Sequence, residues 1–237
     1  MKIGVCLIIK NENSYLEEWL THYRSLGVDN FFIYDNNSET PITSSDDDVE
    51  VVLWDNEEFR SQNEAYLDCC KKHPSFDYIG FFDTDEFYHS KTMNVKEDIN
   101  HLKEKFGDFS GLGIFWRMYG KPFPYFTERQ PITNYTHYHP NKHIKSFIDP
   151  KTIKFFPDPH FPKIKGRYID ELGRTLIAPT GRHTSETIWI KHTWTRSESE
   201  FREKIERGDV NLRKNTITNF DDFYYYNDKC TLHDKND

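Results

Sequence analysis

Phe76-Asp77-Tyr78-Ile79-Gly80-Phe81-Phe82-Asp83-Thr84-Asp85-Glu86-Phe87 is an apolar, aromatic run that stops at two carboxylates one residue apart. The run predicts a buried strand. An ionised carboxylate at a core edge is costly unless it is paired, hydrogen-bonded or bound to a cation. Carboxylates at i and i+2 just past a strand end can share one divalent cation and the phosphates it holds. Mg²⁺ and Mn²⁺ take few protein oxygens and complete their shell with water and phosphate. Asp-x-Asp also occurs as a plain solvated turn, because Asp is a common turn residue. The strand in front of it favours a metal–nucleotide site.

Towards the N-terminus the pattern alternates. Residues 2–9 read as a buried strand and Lys10-Asn11-Glu12-Asn13 as a polar turn. Ser14 with Glu17 forms a capping box for a helix with Tyr15, Leu16, Trp19, Leu20, Tyr23 and Leu26 on one face, ended by Gly27. Residues 28–34 make a second strand closing in Asp35-Asn36-Asn37-Ser38, residues 49–54 a third, and residues 60–72 a helix. Such alternation predicts an α/β fold with a mainly parallel central sheet flanked by helices, and ligands beyond the carboxyl ends of its strands. Lys10–Glu12, Asp35–Ser38 and Asp83–Asp85 all fall at such ends. Towards the C-terminus, residues 95–106 read as a helix, 111–119 as a strand, 143–148 as a short strand and 187–192 as another. Ser197 with Glu200 is a second capping box, opening a helix that ends near Gly208. No Gly/Ser-rich linker interrupts the chain, so residues 1–227 read as a single domain and residues 228–237 as a polar C-terminal tail.

The 237 residues suffice for a substantial core, and 16% aromatic content suits stacking on a base or sugar ring. A net charge of −8 argues against nonspecific nucleic-acid binding, which needs a basic face. Cys6, Cys69, Cys70 and Cys230 show neither CxxC pairing nor zinc spacing, which points to a reduced compartment. The opening apolar run is too short for a signal peptide, and no later run approaches a membrane span, so a cytoplasmic protein is expected. His137, His139, His143 and His183 invite a zinc reading, but no Cys at finger spacing and no His-Glu-x-x-His accompanies them.

These motifs together resemble the GT-A glycosyltransferases, most closely glycosyltransferase family 92 and related family 2-like bacterial and viral enzymes. The matching text is Lys10-Asn11-Glu12 with Tyr15-Leu16-Glu17-Glu18-Trp19, then Leu26-Gly27-Val28 leading to Ile33-Tyr34-Asp35-Asn36-Asn37-Ser38. Gln62-Asn63, Phe82-Asp83-Thr84-Asp85-Glu86-Phe87, Trp116, Tyr119-Gly120, Lys145-Ser146 and the His160 region follow. His192-Thr193-Trp194, Arg196-Ser197-x-x-x-Phe201 and Lys204-x-x-Arg207-Gly208 complete the order over about residues 3–208.

The resemblance implies a GT-A (Rossmann-like) domain, with residues 1–93 as its nucleotide-binding half and 94–227 as its acceptor-side half. It implies a metal-dependent, inverting transfer of a hexose from a UDP-sugar donor to a glycan acceptor, with Mn²⁺ or Mg²⁺ as cofactor. The acceptor would be a surface polysaccharide, a lipopolysaccharide or a glycoprotein glycan, and a lipid-linked one would bring the protein to the inner membrane face. Asp83 is expected at the ribose or a metal-bound water, Asp85 on the metal, and His192 as a third metal contact. Lys10, Asn11, Glu12 and Asp35 would flank the nucleotide, with an Asx-turn as the alternative for Asp35. Arg60 and Gln62 would reach phosphates or sugar, Lys145 or Arg117 would add positive charge, and Trp116 with Tyr119 would floor the sugar. Glu128, Asp158 and His160 are the candidates for general base, while Glu86 would point away from the acceptor. Two other classes compete: a catalytically inactive carbohydrate-binding protein of the same fold, and a metal-dependent phosphohydrolase. The phosphohydrolase pattern of Asp-x-Asp after the first strand differs from the position seen here.

Overall fold

The first apolar run forms β1 (Ile3–Ile9), and every second side chain serves a different layer. Ile3, Val5, Leu7 and Ile9 pack with Trp19, Leu20 and Tyr23 of α1 (Asn13–Ser25), while Cys6 on the other face packs with Ala65, Tyr66 and Cys69 of α2 (Ser61–Lys72). A strand clothed on both faces has no polar alternation, as its sequence shows. This computed structural model describes residues 1–56, 58, 60–207 and 219–234.

β1 pairs in parallel with β2 (Asn30–Asp35) and β4 (Tyr78–Phe81), and β2 pairs in parallel with β3 (Val49–Leu53). After β5 (Glu86–Ser90) comes α3 (Val95–Phe106), whose Val95, Ile99 and Leu102 join the α1 side of the core. The second half adds β6 (Gly111–Gly120), β7 (His137–Ile148), β8 (Ile153–Phe155), β9 (Lys163–Ile164), β10 (Tyr168–Ile169) and β11 (Ile188–His192). It closes with α4 (Glu198–Arg207), α5 (Phe220–Asp228) and β12 (Leu232–His233). The main sheet runs β3-β2-β1-β4-β7-β6-β11-β5, with β10 on β6 and β12 on β7. It is a mixed, mostly parallel sheet flanked by helices, as the α/β reading expects. β7 and β5 run antiparallel to their neighbours.

Gly80, in the middle of the decisive run, has a steric reason. A Cβ there would lie 2.5 Å from ring atoms of both Phe147 and Phe82, so β7 can approach β4 only across a bare backbone.

The structure corrects three local expectations. α1 starts at Asn13 with Glu12 at its N-cap and no side-chain cap, so Ser14 and Glu17 form no capping box. Glu17 instead accepts from Thr21 Oγ1, and the Glu12 side chain is held elsewhere. The second box is real: Ser197 N–H donates to Glu200 Oε2 at 3.0 Å, and Glu200 N–H to Ser197 Oγ at 3.4 Å. β7 is twice as long as the apolar stretch suggests, because its first half is the polar His137–Pro140 segment paired to β6 beyond a register shift between Phe115 and Arg117. Finally, residues 228–234 are polar in composition but packed in place. β12 pairs with Tyr138 and His137, and both Cys230 and Asp234 are buried. The expected end of α4 at Gly208 lies outside the described residues.

His22 sits among Tyr23, Phe87 and His89, with Nε2 donating to the Tyr88 carbonyl. Burial pushes it down to about 4 from 6.5, and burial together with His22 itself pushes His89 down to about 2. The unfolded chain therefore binds these protons more readily than the folded one. Their contribution to stability is complete above pH 6.5 and is lost progressively as pH falls, towards about 4 for His22 and about 2 for His89. Urea unfolding at about pH 7.5 and about pH 5 should show this loss, and His22→Gln should make it smaller.

Candidate active site

β4 delivers Phe81 and Phe82 into the core, and the chain then turns so that Glu86 N–H donates to the Asp83 carbonyl at 3.0 Å. Glu86 Oε2 caps the turn by accepting from Asp83 N–H at 2.8 Å. The Trp19 indole of α1 donates to the same Asp83 carbonyl, tying the turn to the first helix. The side chains of Asp83, Thr84 and Asp85 then diverge, each to a different part of the chain.

Asp83 Oδ2 accepts from Lys145 Nζ at 2.8 Å, and its Oδ1 accepts from Gln62 Nε2 at 2.8 Å and the Tyr66 hydroxyl at 3.3 Å. Lys145, from β7, is fully buried and also sits 3.1 Å from Glu86 Oε2, while the Asp83 side chain keeps 35% of its exposure. Burial opposes charge on Lys145, but Asp83 and Glu86 outweigh it and hold the ammonium above the usual lysine range. Burial, with Asp83 nearby, pushes Glu86 up to about 7 against the pull of Lys145.

Thr84 Oγ1 donates to Glu12 Oε2 at 2.5 Å and accepts from Arg196 Nη2 at 2.8 Å. Arg196 also stacks 3.5 Å over the Tyr15 ring and lies 3.8 Å from Glu12 Oε1. Asp85 takes the third direction, with Oδ1 3.5 Å from His192 Nε2 and Oδ2 3.3 Å from Lys204 Nζ. Burial would raise the Asp85 carboxyl, but Lys204, His192 and Arg196 hold it well below the usual carboxylate range. Register explains the His192 contact: β11 is antiparallel to β5 with His192 opposite Glu86, and Thr193 N–H donates to the Asp85 carbonyl at 2.9 Å.

Other expected residues fall into distinct places. Asp35 is buried with Oδ1 accepting from Ser38 N–H at 3.0 Å and Oδ2 from Ile42 N–H at 2.9 Å, so its carboxylate holds the loop, as in the Asx-turn alternative. Asn11 braces the same loop, donating its N–H to Ser38 Oγ and accepting from Glu39 N–H. Lys10 lies half-buried just past β1, and Arg60 is exposed at the start of α2 with φ +74°. Glu128 is exposed on the loop before Ile132. Asp158 Oδ1 accepts from His160 N–H at 2.7 Å.

Trp116 stacks with His143 and meets His160 and His192 at centroid distances of 5.1 and 4.4 Å. Its Nε1, His160 Nδ1 and His192 Nδ1 are buried without a hydrogen-bond partner among the described residues. Burial, then Lys145, His143 and His192, push His160 well below the usual histidine range. Arg117 and Tyr119 stand on the opposite face of β6 by strand alternation. Arg117 lies 3.8 Å over the Trp189 ring, and the Tyr119 hydroxyl donates to Asp234, so neither adds charge or a floor beside Asp85.

Arg196, Lys204 and Thr84 were given no role by sequence reasoning. The first two stand in the matching C-terminal text, but only the approach of α4 reveals what they touch. Among the described residues no group of three or more His, Cys, Asp or Glu side chains gathers closely enough to hold a metal. His137 instead faces the His233 ring.

The family model for glycosyltransferase family 92 matches residues 2–223. The chain belongs to glycosyltransferase family 92. A family 92 protein of Ricinus communis is 25% identical over 127 residues, covering 49% of this chain and 22% of the relative. Family 92 proteins of Oryza sativa subsp. japonica and Arabidopsis thaliana are 32% and 31% identical, covering 40% and 38% of this chain and 17% of each relative. The chain thus spans about a fifth of the length of these relatives. The crystal structure of residues 1–349 of S. aureus TarS aligns with a TM-score of 0.38 and 13% identity over 63% of this chain and 47% of that one.

In this family 92 chain the buried Lys145 should be the most costly side chain of the site to remove. Lys145→Met leaves the fully buried Glu86 without its counter-charge beside the partly exposed Asp83 and should destabilise the protein by about 3–5 kcal/mol in urea unfolding. Adding Glu86→Gln should recover part of that loss, since the buried carboxyl left without its partner goes with it.

Proposed function

We propose that this family 92 chain is a metal-dependent, inverting glycosyltransferase that moves a hexose from a UDP-sugar to a glycan acceptor. The observation that carries the reading is Asp85, buried yet held ionised beside His192 Nε2, at the carboxyl edge of the sheet in a chain of this family. An anionic oxygen and an imidazole nitrogen 3.5 Å apart suit one Mn²⁺ or Mg²⁺, which completes its shell with water and substrate phosphate. Asp85 and His192 would hold the ion, which when bound supplies Lewis-acid stabilisation of the diphosphate leaving group.

The chain's own groups divide the remaining work. Asp83, a third exposed and oriented by Lys145 and Gln62, accepts hydrogen bonds from the ribose hydroxyls. Lys10, Asn11 and Arg60 border the base side, and Arg196 adds fixed positive charge next to Thr84. Burial holds the His160 imidazole neutral, which leaves it able to take a proton but makes it a weak base, and its buried Nδ1 has no partner among the described residues; this ring serves as the base. It takes the proton of an acceptor hydroxyl as that oxygen bonds to the anomeric carbon, while the bond from that carbon to the diphosphate breaks and UDP departs. Asp158 orients the His160 loop, and Glu128 takes no part. A lipid-linked acceptor would bring the protein to the cytoplasmic membrane face. No helix among the described residues is long and apolar enough to cross a membrane.

Calorimetric titration of UDP, against GDP and CMP, with Mn²⁺ and then EDTA tests this reading. UDP should bind only with the metal, and Asp85→Ala should weaken that binding by more than about 100-fold, beyond the effect of losing an outer-shell contact. Binding of glycan but of no nucleotide would instead make the chain a carbohydrate-binding member of its family.

A further inference from the structure

Both oxygens of Asp85 are engaged, and the two partners differ in kind. His192 stands on β11, a strand of the sheet, and is buried. Lys204 arrives from α4, on a stem that keeps 29% of its side-chain exposure. Its ammonium donates to the Trp194 carbonyl at 3.2 Å as well as to Asp85 Oδ2 at 3.3 Å, and lies 5.1 Å from the Trp194 ring centroid. Lys204, Trp194 and Arg196, together with the carboxylates Glu12, Glu200 and Glu203, line a cleft of about 60 Å³ beside the Asp85 turn.

The two cations at this edge are held differently. Arg196 is clamped by a ring, a hydroxyl and a carboxylate, and 12% of its side chain is exposed. A lysine is a point charge on a flexible four-carbon stem and can change partner without moving its backbone. A buried carboxylate needs a counter-charge, because an unpaired one is strongly destabilising. A permanent ammonium at 3.3 Å would repel any divalent cation approaching the same carboxylate. A movable one meets both demands.

We propose that Lys204 and the divalent cation are alternative partners of Asp85: the cation displaces the ammonium from Oδ2, and the freed ammonium swings into the adjoining cleft to meet the donor's diphosphate. This rests on the metal-dependent nucleotide-sugar reading. Lys204 is then a counter-ion that couples the two ligands. The cation alone leaves the displaced ammonium to the carboxylates of Glu12, Glu200 and Glu203 around that cleft, whereas diphosphate gives it a partner of higher charge. Metal and nucleotide therefore strengthen one another's binding reciprocally.

The test is calorimetry of Mn²⁺ alone, of UDP with saturating Mn²⁺ and of UDP in EDTA, on the wild type and on Lys204→Gln. The variant should bind Mn²⁺ alone roughly five- to tenfold more tightly, and bind UDP in saturating Mn²⁺ more weakly by a similar factor. Lys204→Arg, which keeps the charge and guards against a folding defect in the first variant, should bind Mn²⁺ no more tightly than the wild type. Unchanged or weaker Mn²⁺ binding by a folded Lys204→Gln overturns the hand-over. So does UDP binding in EDTA by proteins that take no Mn²⁺, and that result also removes the metal from the proposed function. Tighter Mn²⁺ binding by the variant with no UDP binding by either protein keeps the competition at Asp85 and overturns the diphosphate step with the nucleotide reading.

Discussion

An ammonium with no access to water holds the site together. Lys145 on β7 stands between Asp83 and Glu86, and its buried charge is tolerable only because of these two carboxyl groups. That requirement forces β7 to lie directly beside β4, and β7 can do so only because Gly80 leaves room for Phe147. The antiparallel strand that interrupts the parallel half of the sheet is therefore what the Asp83–Asp85 turn rests on. The same turn is pinned from the opposite side by the Trp19 indole of α1.

Around this anchor the two carboxylates of the turn have separate duties. Asp83 is bound into the scaffold through Lys145, Gln62 and Tyr66, yet part of its surface stays open. Asp85 is more deeply buried and depends on residues from the C-terminal half, His192 and Lys204. Thr84 between them bridges Glu12 and Arg196, so the start of α1 and the approach to α4 meet at one hydroxyl. The site thus assembles only when β1, β4, β7, β11 and α4 are all in place. Its electrostatics is a chain of alternating charges, Lys145–Asp83 on one arm and Arg196, Asp85 and Lys204 on the other.

The face of β6 away from Asp85 has its own logic. Arg117 over Trp189 and near Asp234, together with the Tyr119 hydroxyl on Asp234, fastens the C-terminal β12 segment to the sheet. These side chains carry charge and aromatic area but serve packing. Composition alone does not distinguish them from Trp116, one residue away and on the other side of the strand.

Short-range physics controls the features that neighbouring residues alone specify. The apolar run of β1, Gly27 at φ +81° after α1, the Ser197–Glu200 box and the strand leading to Asp83 are each set by residues within a few positions. The placement of Asp83 and Asp85 just past β4 followed from the rule for open α/β sheets, and that of His192, at the end of β11 beside Asp85, followed from the family resemblance. The tertiary structure alone decided which partner each group found. The first half of β7 was hidden because His137–Pro140 has no apolar period and is held by pairing to β6. Asp35 went to its own loop because Ser38 and Ile42 N–H groups lie within reach. Lys145 meets Asp83 across 62 positions, and Lys204 meets Asp85 across 119. Coulomb and hydrogen-bond energies depend on distance in space, and only the folded chain sets that distance.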